Sequence, residues 1–184
     1  MPDPISRALA TAVLAWGPTA PGAVRAAIDL VGQAGIYLAV ALVVAGAWLA
    51  GGRSVSGFVA AILPGLIGAA IAILVAHVIG GLAPIDRPFV ALGGSPLFGH
   101  AADASFPSDH VTIGISMLGA RITDRRLQWA AAAVVLLVGL ARVLAGVHWL
   151  DDVVAGALIG LVCAWLGRAV AIVLIGRRRV SPTA

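Results

Sequence analysis

The chain has 184 residues, 61% of them apolar and 11% charged, and its mean hydropathy is +1.06. Such a composition excludes an ordinary water-soluble domain, because the uncharged apolar runs are too long to be buried within so short a chain. The formal net charge is +4 and all twelve basic residues are arginine, yet no basic stripe interleaved with aromatic residues accompanies them. That excludes a nucleic-acid surface and leaves membrane topology and anionic lipid as the meaning of the charge.

Taken in chain order, residues 5–16, ISRALATAVLAW, are apolar but too short to cross a bilayer, and GPTAPG after them breaks the helix. They predict an interfacial or partly inserted helix within an N-terminal segment 1–27, in preference to a cleaved signal peptide. Five apolar stretches follow at about 28–50, 56–82, 108–122, 127–147 and 153–176. Most are near the roughly 20 residues that a helix needs to span the hydrocarbon. The third is the shortest and opens on polar groups. The predicted fold is therefore all-α, a polytopic transmembrane helix bundle of about five spans. It is read as one integral domain over 1–184, with a core at 28–176 and a solvated tail at 177–184.

Arg53 lies between the first two spans, Arg121, Arg125 and Arg126 between the third and fourth, and Arg177, Arg178 and Arg179 after the fifth. The positive-inside bias places those loops in the cytoplasm, with Arg7 and Arg25 running mildly against it. The expected location is the plasma (inner) membrane, crossed several times. Gly156 and Gly160, one helical turn apart, predict close helix contact through small faces. The lone Cys163 falls mid-span, which fits a small core residue and excludes an intramolecular disulfide.

Ionisable groups gather in three stretches that this topology puts on the outer side: APIDRPF (83–89), HAADASFPSDH (100–110) and ARVLAGVHWLDD (141–152). Charge at the edge of a membrane span is costly, so such clusters are functional candidates. His148 and Asp152 are four apart and share one helical face; a carboxylate on one ring nitrogen fixes the tautomer and frees the other nitrogen as nucleophile or base. The Arg142 guanidinium suits two oxygens of a phosphate. Pro107 fits the first turn of a helix that Ser105 caps, where backbone N–H groups and the Ser108 hydroxyl make an anion site. His110, in the same turn, is placed to give a proton to a leaving oxygen, and Arg87 is held by the stiff Pro88.

The remaining polar residues read less sharply. His77 is either a structural histidine or part of a lipid pocket. His100 and Asp103 are either solvated loop residues or contacts for a second phosphate. Asp86 is as readily an ion-pair partner as a free surface group, and Asp151 reads as a cap for the fifth span.

RPF at 87–89, FPSDH at 106–110 and R-x5-H-x3-D at 142–152 resemble, in order and interval, the three signature motifs of the type 2 phosphatidic acid phosphatase (PAP2) superfamily of membrane lipid phosphatases. DRPFVALGG and HAADASFPSDH resemble in particular its bacterial undecaprenyl-diphosphate phosphatase branch, which recycles the polyprenyl carrier lipid of cell-wall synthesis. The resemblance covers roughly 28–176. It implies that His148 forms a phosphohistidine, that Asp152 orients it, and that His110 protonates the departing oxygen and later activates water. Arg87, Arg142 and Ser108 would hold the phosphoryl oxygens, without metal or other cofactor.

Three positions depart from the pattern. The usual first-motif lysine is Gly80, the serine before the third-motif arginine is Ala141, and the frequent second-motif glycine is Asp109. Asp109, at the phosphate-binding motif, is read as a carboxylate that keeps His110 protonated. The substrate class implied is a polyprenyl or glycerophospholipid phosphate: first undecaprenyl diphosphate, then phosphatidylglycerol phosphate or phosphatidic acid. A lipid phosphotransferase uses the same intermediate, and a lipid-binding or transport protein is the reading without chemistry.

Overall fold

The computed structural model describes residues 2–178, with side chains as far as Ile175, and it is helical throughout. Seven α-helices follow one another: α1 (Pro4–Trp16), α2 (Gly22–Ala50), α3 (Val55–Leu82), α4 (Pro88–Ala91), α5 (Asp109–Met117), α6 (Arg125–Leu144) and α7 (Leu150–Arg178), with a 3-10 turn at Gly17–Thr19. No strand occurs among the described residues. Helix starts carry the side chains that free N–H groups require. The Asp3 carboxylate accepts from Ile5 and Ser6 at α1, Ser54 from Gly57 at α3, and Asp124 from Arg126 and Leu127 at α6.

Helices α2, α3, α6 and α7 (to Ile175) are long and apolar enough to cross a membrane. The third expected span folds differently. Helix α5 has nine residues, about 14 Å at 1.5 Å per residue, and turns and extended chain follow it to Asp124. The segment still runs the length of the bundle. His110 at its start touches Arg142 near the end of α6. At the other end, the Arg121 N–H donates to Ala61 near the start of α3 and its guanidinium to Ala50 at the end of α2. The chain therefore runs along the bundle five times, once on a half-helix, with four helices long and apolar enough to span. Early termination leaves carbonyls that hydrocarbon would not satisfy. Arg168 of α7 supplies donors, Nε to Gly119 at 2.9 Å and Nη2 to Leu118 at 3.2 Å.

Packing is by small residues, as the glycine spacing predicts. A Cβ on Gly160 would lie 2.7 Å from the Thr112 carbonyl oxygen, and one on Gly156 3.0 Å from the Ser108 carbonyl oxygen, so α5 sits directly on the α7 backbone. Val43, Ala47, Ala61, Val111, Val135 and Cys163 are buried between helices, while Tyr37, Leu74, Leu136, Trp165 and Ile172 face outward, where lipid tails are their natural solvent. This is a multi-pass membrane bundle. The side chains of Arg177 and Arg178 and the tail at 179–184 lie outside the described residues.

Helix α1 lies over the end of the bundle where α7 begins. The Ser6 hydroxyl accepts from Leu150 and Asp151 N–H, and the Asp3 N–H donates to the Asp151 carboxylate at 2.9 Å. Asp151 thus ties α1 to α7 from within the first turn of α7. Loop 92–108 is fastened to the same end by Leu97 N–H on the Ala145 carbonyl, Ser105 N–H on the Ile85 carbonyl, and Phe98 buried against Ile28, Ala141 and Val147.

Candidate active site

The site grows out of the turn between α6 and α7. Gly146 adopts φ +73°, a conformation that residues with a Cβ rarely take, and a Cβ there would also meet Leu14 of α1 at 2.6 Å. The turn folds back until the N–H groups of Val147 and His148 both reach the Arg142 carbonyl, at 3.2 and 3.4 Å. His148 is thereby set beside Arg142.

Asp152, 1% exposed, gathers three donors on a single oxygen. Its Oδ2 accepts from the Ser105 hydroxyl at 2.6 Å, the Trp149 N–H at 2.8 Å and His148 Nδ1 at 3.2 Å. Ser105 therefore does not cap α5, as the sequence suggests; it reaches α7 instead, and Ser108 takes the N-cap position. With Nδ1–H committed to the carboxylate, the His148 Nε2 lone pair faces Arg87 Nη1 at 3.2 Å. Burial pushes the His148 imidazole down to about 4 against the opposing hydrogen bond to Asp152, so at neutral pH its Nε2 carries no proton.

Two buried guanidinium groups flank it. Arg87 donates through Nε to Asp103 at 2.8 Å, through Nη1 to the Val147 carbonyl at 2.9 Å and through Nη2 to the Ala104 carbonyl at 3.2 Å. Arg142 donates through Nη1 to the Gly32 carbonyl of α2 at 3.2 Å, with His110 Nε2 3.4 Å from the same nitrogen. Its Nη2 meets His100 Nε2 at 2.7 Å. The Arg142 Nε and the Ser108 hydroxyl are buried without a partner among the described residues. Orphaned buried donors are costly, and two at one site fit an oxyanion-binding role.

Of the residues singled out in the sequence, Arg87, Ser108, His110, Arg142, His148 and Asp152 come together. Asp109 does not join them. It is exposed, makes no hydrogen bond to His110, and lines a groove of about 360 Å³ toward α3 with His77, Gly80 and Asp103. Successive residues of a helix project about 100° apart, so Asp109 faces the groove while His110 faces Arg142.

His100 is the residue that sequence reasoning undervalued. Its ring lies 6.3 Å from that of His148, edge to face, and its Nδ1 is 3.1 Å from the Ala101 carbonyl and 3.9 Å from the Asp103 carboxylate. Burial, reinforced by the two arginine charges, holds its imidazole below the usual range despite Ala101 and Asp103. For Asp103, burial raises the carboxyl, but the Arg87 hydrogen bond and charge outweigh it and leave it below the usual carboxylate range. The H-x2-D spacing hints at a local pair, yet nothing nearby in sequence signals a partner 42 residues away.

A family model described as the PAP2 superfamily matches residues 61–174. The chain belongs to the PAP2 superfamily. Among curated relatives, YbjG of Escherichia coli (strain K12) is 41% identical over 95 residues, covering 50% of this chain and 48% of that protein. BcrC of Bacillus subtilis (strain 168), named an undecaprenyl-diphosphatase, is 39% identical over 84 residues, covering 44% and 42%. The chain thus spans about half the length of the curated relatives it matches. Among solved structures, Aquifex aeolicus LpxE superposes with a TM-score of 0.66 at 17% identity, covering 85% of this chain and 92% of the other. A PAP2-type phosphatidylglycerolphosphate phosphatase from Bacillus subtilis gives 0.63 at 17% identity, covering 98% and 88%. Both likenesses concern the PAP2 fold.

Against that PAP2 background, Gly80 opens onto the acidic groove, where a Cβ would meet the Phe106 carbonyl oxygen at 3.3 Å. Ala141 is buried against Phe98.

Proposed function

We propose that this chain is a membrane lipid phosphatase that removes the terminal phosphate of undecaprenyl diphosphate through a phosphohistidine. The observation that carries the reading is His148: Asp152 holds one ring nitrogen, and the other, unprotonated, faces Arg87 beside Arg142, whose Nε is orphaned, and the orphaned Ser108 hydroxyl. A binding protein needs the cations but has no use for an oriented nucleophile.

In the first step His148 Nε2 attacks the terminal phosphorus; the P–N bond forms, the P–O bond to undecaprenyl phosphate breaks, and His110, which takes up a proton as the negatively charged diphosphate binds, gives that proton to the departing oxygen. Water then attacks the phosphohistidine, His110 takes the proton, the P–N bond breaks and inorganic phosphate leaves. Arg87 and Arg142, with the Ser108 hydroxyl, hold the equatorial oxygens as negative charge spreads over them, so positioned donors supply the charge stabilisation in place of a metal ion.

The loop arginines favour an extracytoplasmic site. Arg53, Arg121, Arg125 and Arg126 lie at the end of the bundle opposite His148, which the positive-inside bias assigns to the cytoplasm. The plasma membrane and one integral unit over 28–176 complete the reading. YbjG, BcrC and the motif-bearing loop 83–110 favour the polyprenyl diphosphate over a glycerophospholipid.

The test is phosphate release by purified protein in detergent with chelator, from undecaprenyl diphosphate, phosphatidylglycerol phosphate and phosphatidic acid. Release is expected to be fastest from the diphosphate and abolished by His148→Ala. Preference for a glycerophospholipid would reassign the substrate, phosphate moved to an added lipid would make the protein a transferase, and no release from any of them would overturn the reading.

A further inference from the structure

His100 approaches Arg142 and His148 from loop 92–108 and has no part in the mechanism above. Its Nε2 sits on Arg142 Nη2 at 2.7 Å, its ring is 6.3 Å from His148, and its side chain keeps 19% of its surface open. Arginine has no lone pair to offer, so Nε2 is the acceptor in this contact and Nδ1 carries the proton toward Ala101. A phosphate oxygen bridging the two groups would accept from both once Nε2 is protonated. Among the described residues no arginine lines the groove beside Gly80, which carries the carboxylates Asp103 and Asp109 and His77.

We propose that His100 is a substrate-binding residue, an imidazolium that grips a phosphate oxygen together with Arg142 and supplies the positive charge that Gly80 leaves out. This rests on the phosphatase reading. The groups around His100 set the sign of its titration. Burial, Arg87 ahead of α4 and Arg142 on α6 oppose a charge on it, as would a proton on the neighbouring His148, while the Ala101 carbonyl and Asp103 on its own loop favour one. An arriving phosphate adds negative charge that reverses the balance. Substrate binding therefore takes up a proton at His100, and binding weakens as pH rises.

The experiment measures kcat and KM for phosphate release between pH 6 and 8.5 with farnesyl diphosphate and farnesyl monophosphate in detergent, using wild type, His100→Ala and His100→Gln. Glutamine still accepts from Arg142 but does not titrate, so it separates bracing of Arg142 from charge on the substrate. The wild-type KM is expected to rise with pH by up to about ten-fold per unit. His100→Ala should raise KM at low pH by roughly ten-fold or more with kcat within a few-fold, and should lower the melting temperature through the lost Arg142 contact, which His100→Gln restores. His100→Gln should flatten the pH dependence that exceeds the second ionisation of the substrate. A larger loss on the diphosphate places the contact on its inner phosphate, and equal losses place it on the transferred one. Superimposable KM profiles for wild type and His100→Gln would overturn the proposal while leaving the phosphatase reading intact. Absence of turnover by wild type would overturn the reading beneath it.

Discussion

Replacing Asp152 by asparagine keeps the shape of the site and removes one charge. Trp149 N–H and the Ser105 hydroxyl both require an acceptor at the Oδ2 position, so the amide oxygen takes that place and His148 Nδ1–H retains a partner. Hydrogen bonds to a charged group contribute about 1.5–3 kcal/mol, and neutral ones about 0.5–1.5 kcal/mol. The bonds from Trp149 and Ser105 are the same before and during reaction, so their weakening appears as lost stability of about 2 kcal/mol. The bond from His148 differs, because the imidazole gains positive charge as Nε2 attacks phosphorus. Its weakening by about 1–1.5 kcal/mol appears in kcat, a loss of roughly five- to thirteen-fold. Phosphate release at saturating lipid, alongside thermal unfolding in the same detergent, reads both. A variant within three-fold of wild-type kcat, with its melting temperature lowered, would refute the assignment of Asp152 as the group that supports the nucleophile.

Two further outcomes follow from burial and from packing. His148 binds a proton in the unfolded chain near its ordinary value of 6.5 but in the folded protein only near 4, so between those pH values the unfolded state holds more protons and stability rises with pH. Thermal unfolding across pH 4–6.5 should show that slope and His148→Gln should make it shallower; on the acid side, the kcat/KM of the wild type should fall as pH drops toward 4. Gly160→Val should prevent α5 from seating on α7, since even a Cβ there lies 2.7 Å from the Thr112 carbonyl oxygen, whereas Gly160→Ala should cost about 1–3 kcal/mol. Size-exclusion profiles and melting temperatures in detergent separate the two.

The long apolar helices and the motif residues were legible because each depends on local pattern: runs of hydropathy for α2, α3, α6 and α7, and i,i+4 spacing for His148 and Asp152. What escaped was set by contacts across the fold. The half-helix at α5 looks like a span in composition, and it ends early because Arg168, from another helix, satisfies carbonyls that an uninterrupted helix would have bonded itself. Ser105 sits where a cap belongs, yet its strongest partner is 47 residues away on α7. Asp109 and His110 are adjacent letters with different orientations, which spacing shows only when the helix face is known. His100 lies in a stretch without periodicity, and only the fold brings it to Arg142.

The convergence of Ser105, Trp149 and His148 on one oxygen of Asp152 has an evolutionary corollary. Remodelling of the connecting arc to accept a different lipid headgroup is mechanically separable from the site only upstream of residue 100; beyond it, any drift is transmitted to Arg142, to Arg87 or to the His148 ring. Diversity among homologues should accordingly concentrate in the first half of that arc, with its closing residues nearly invariant, a pattern an alignment of this branch would expose.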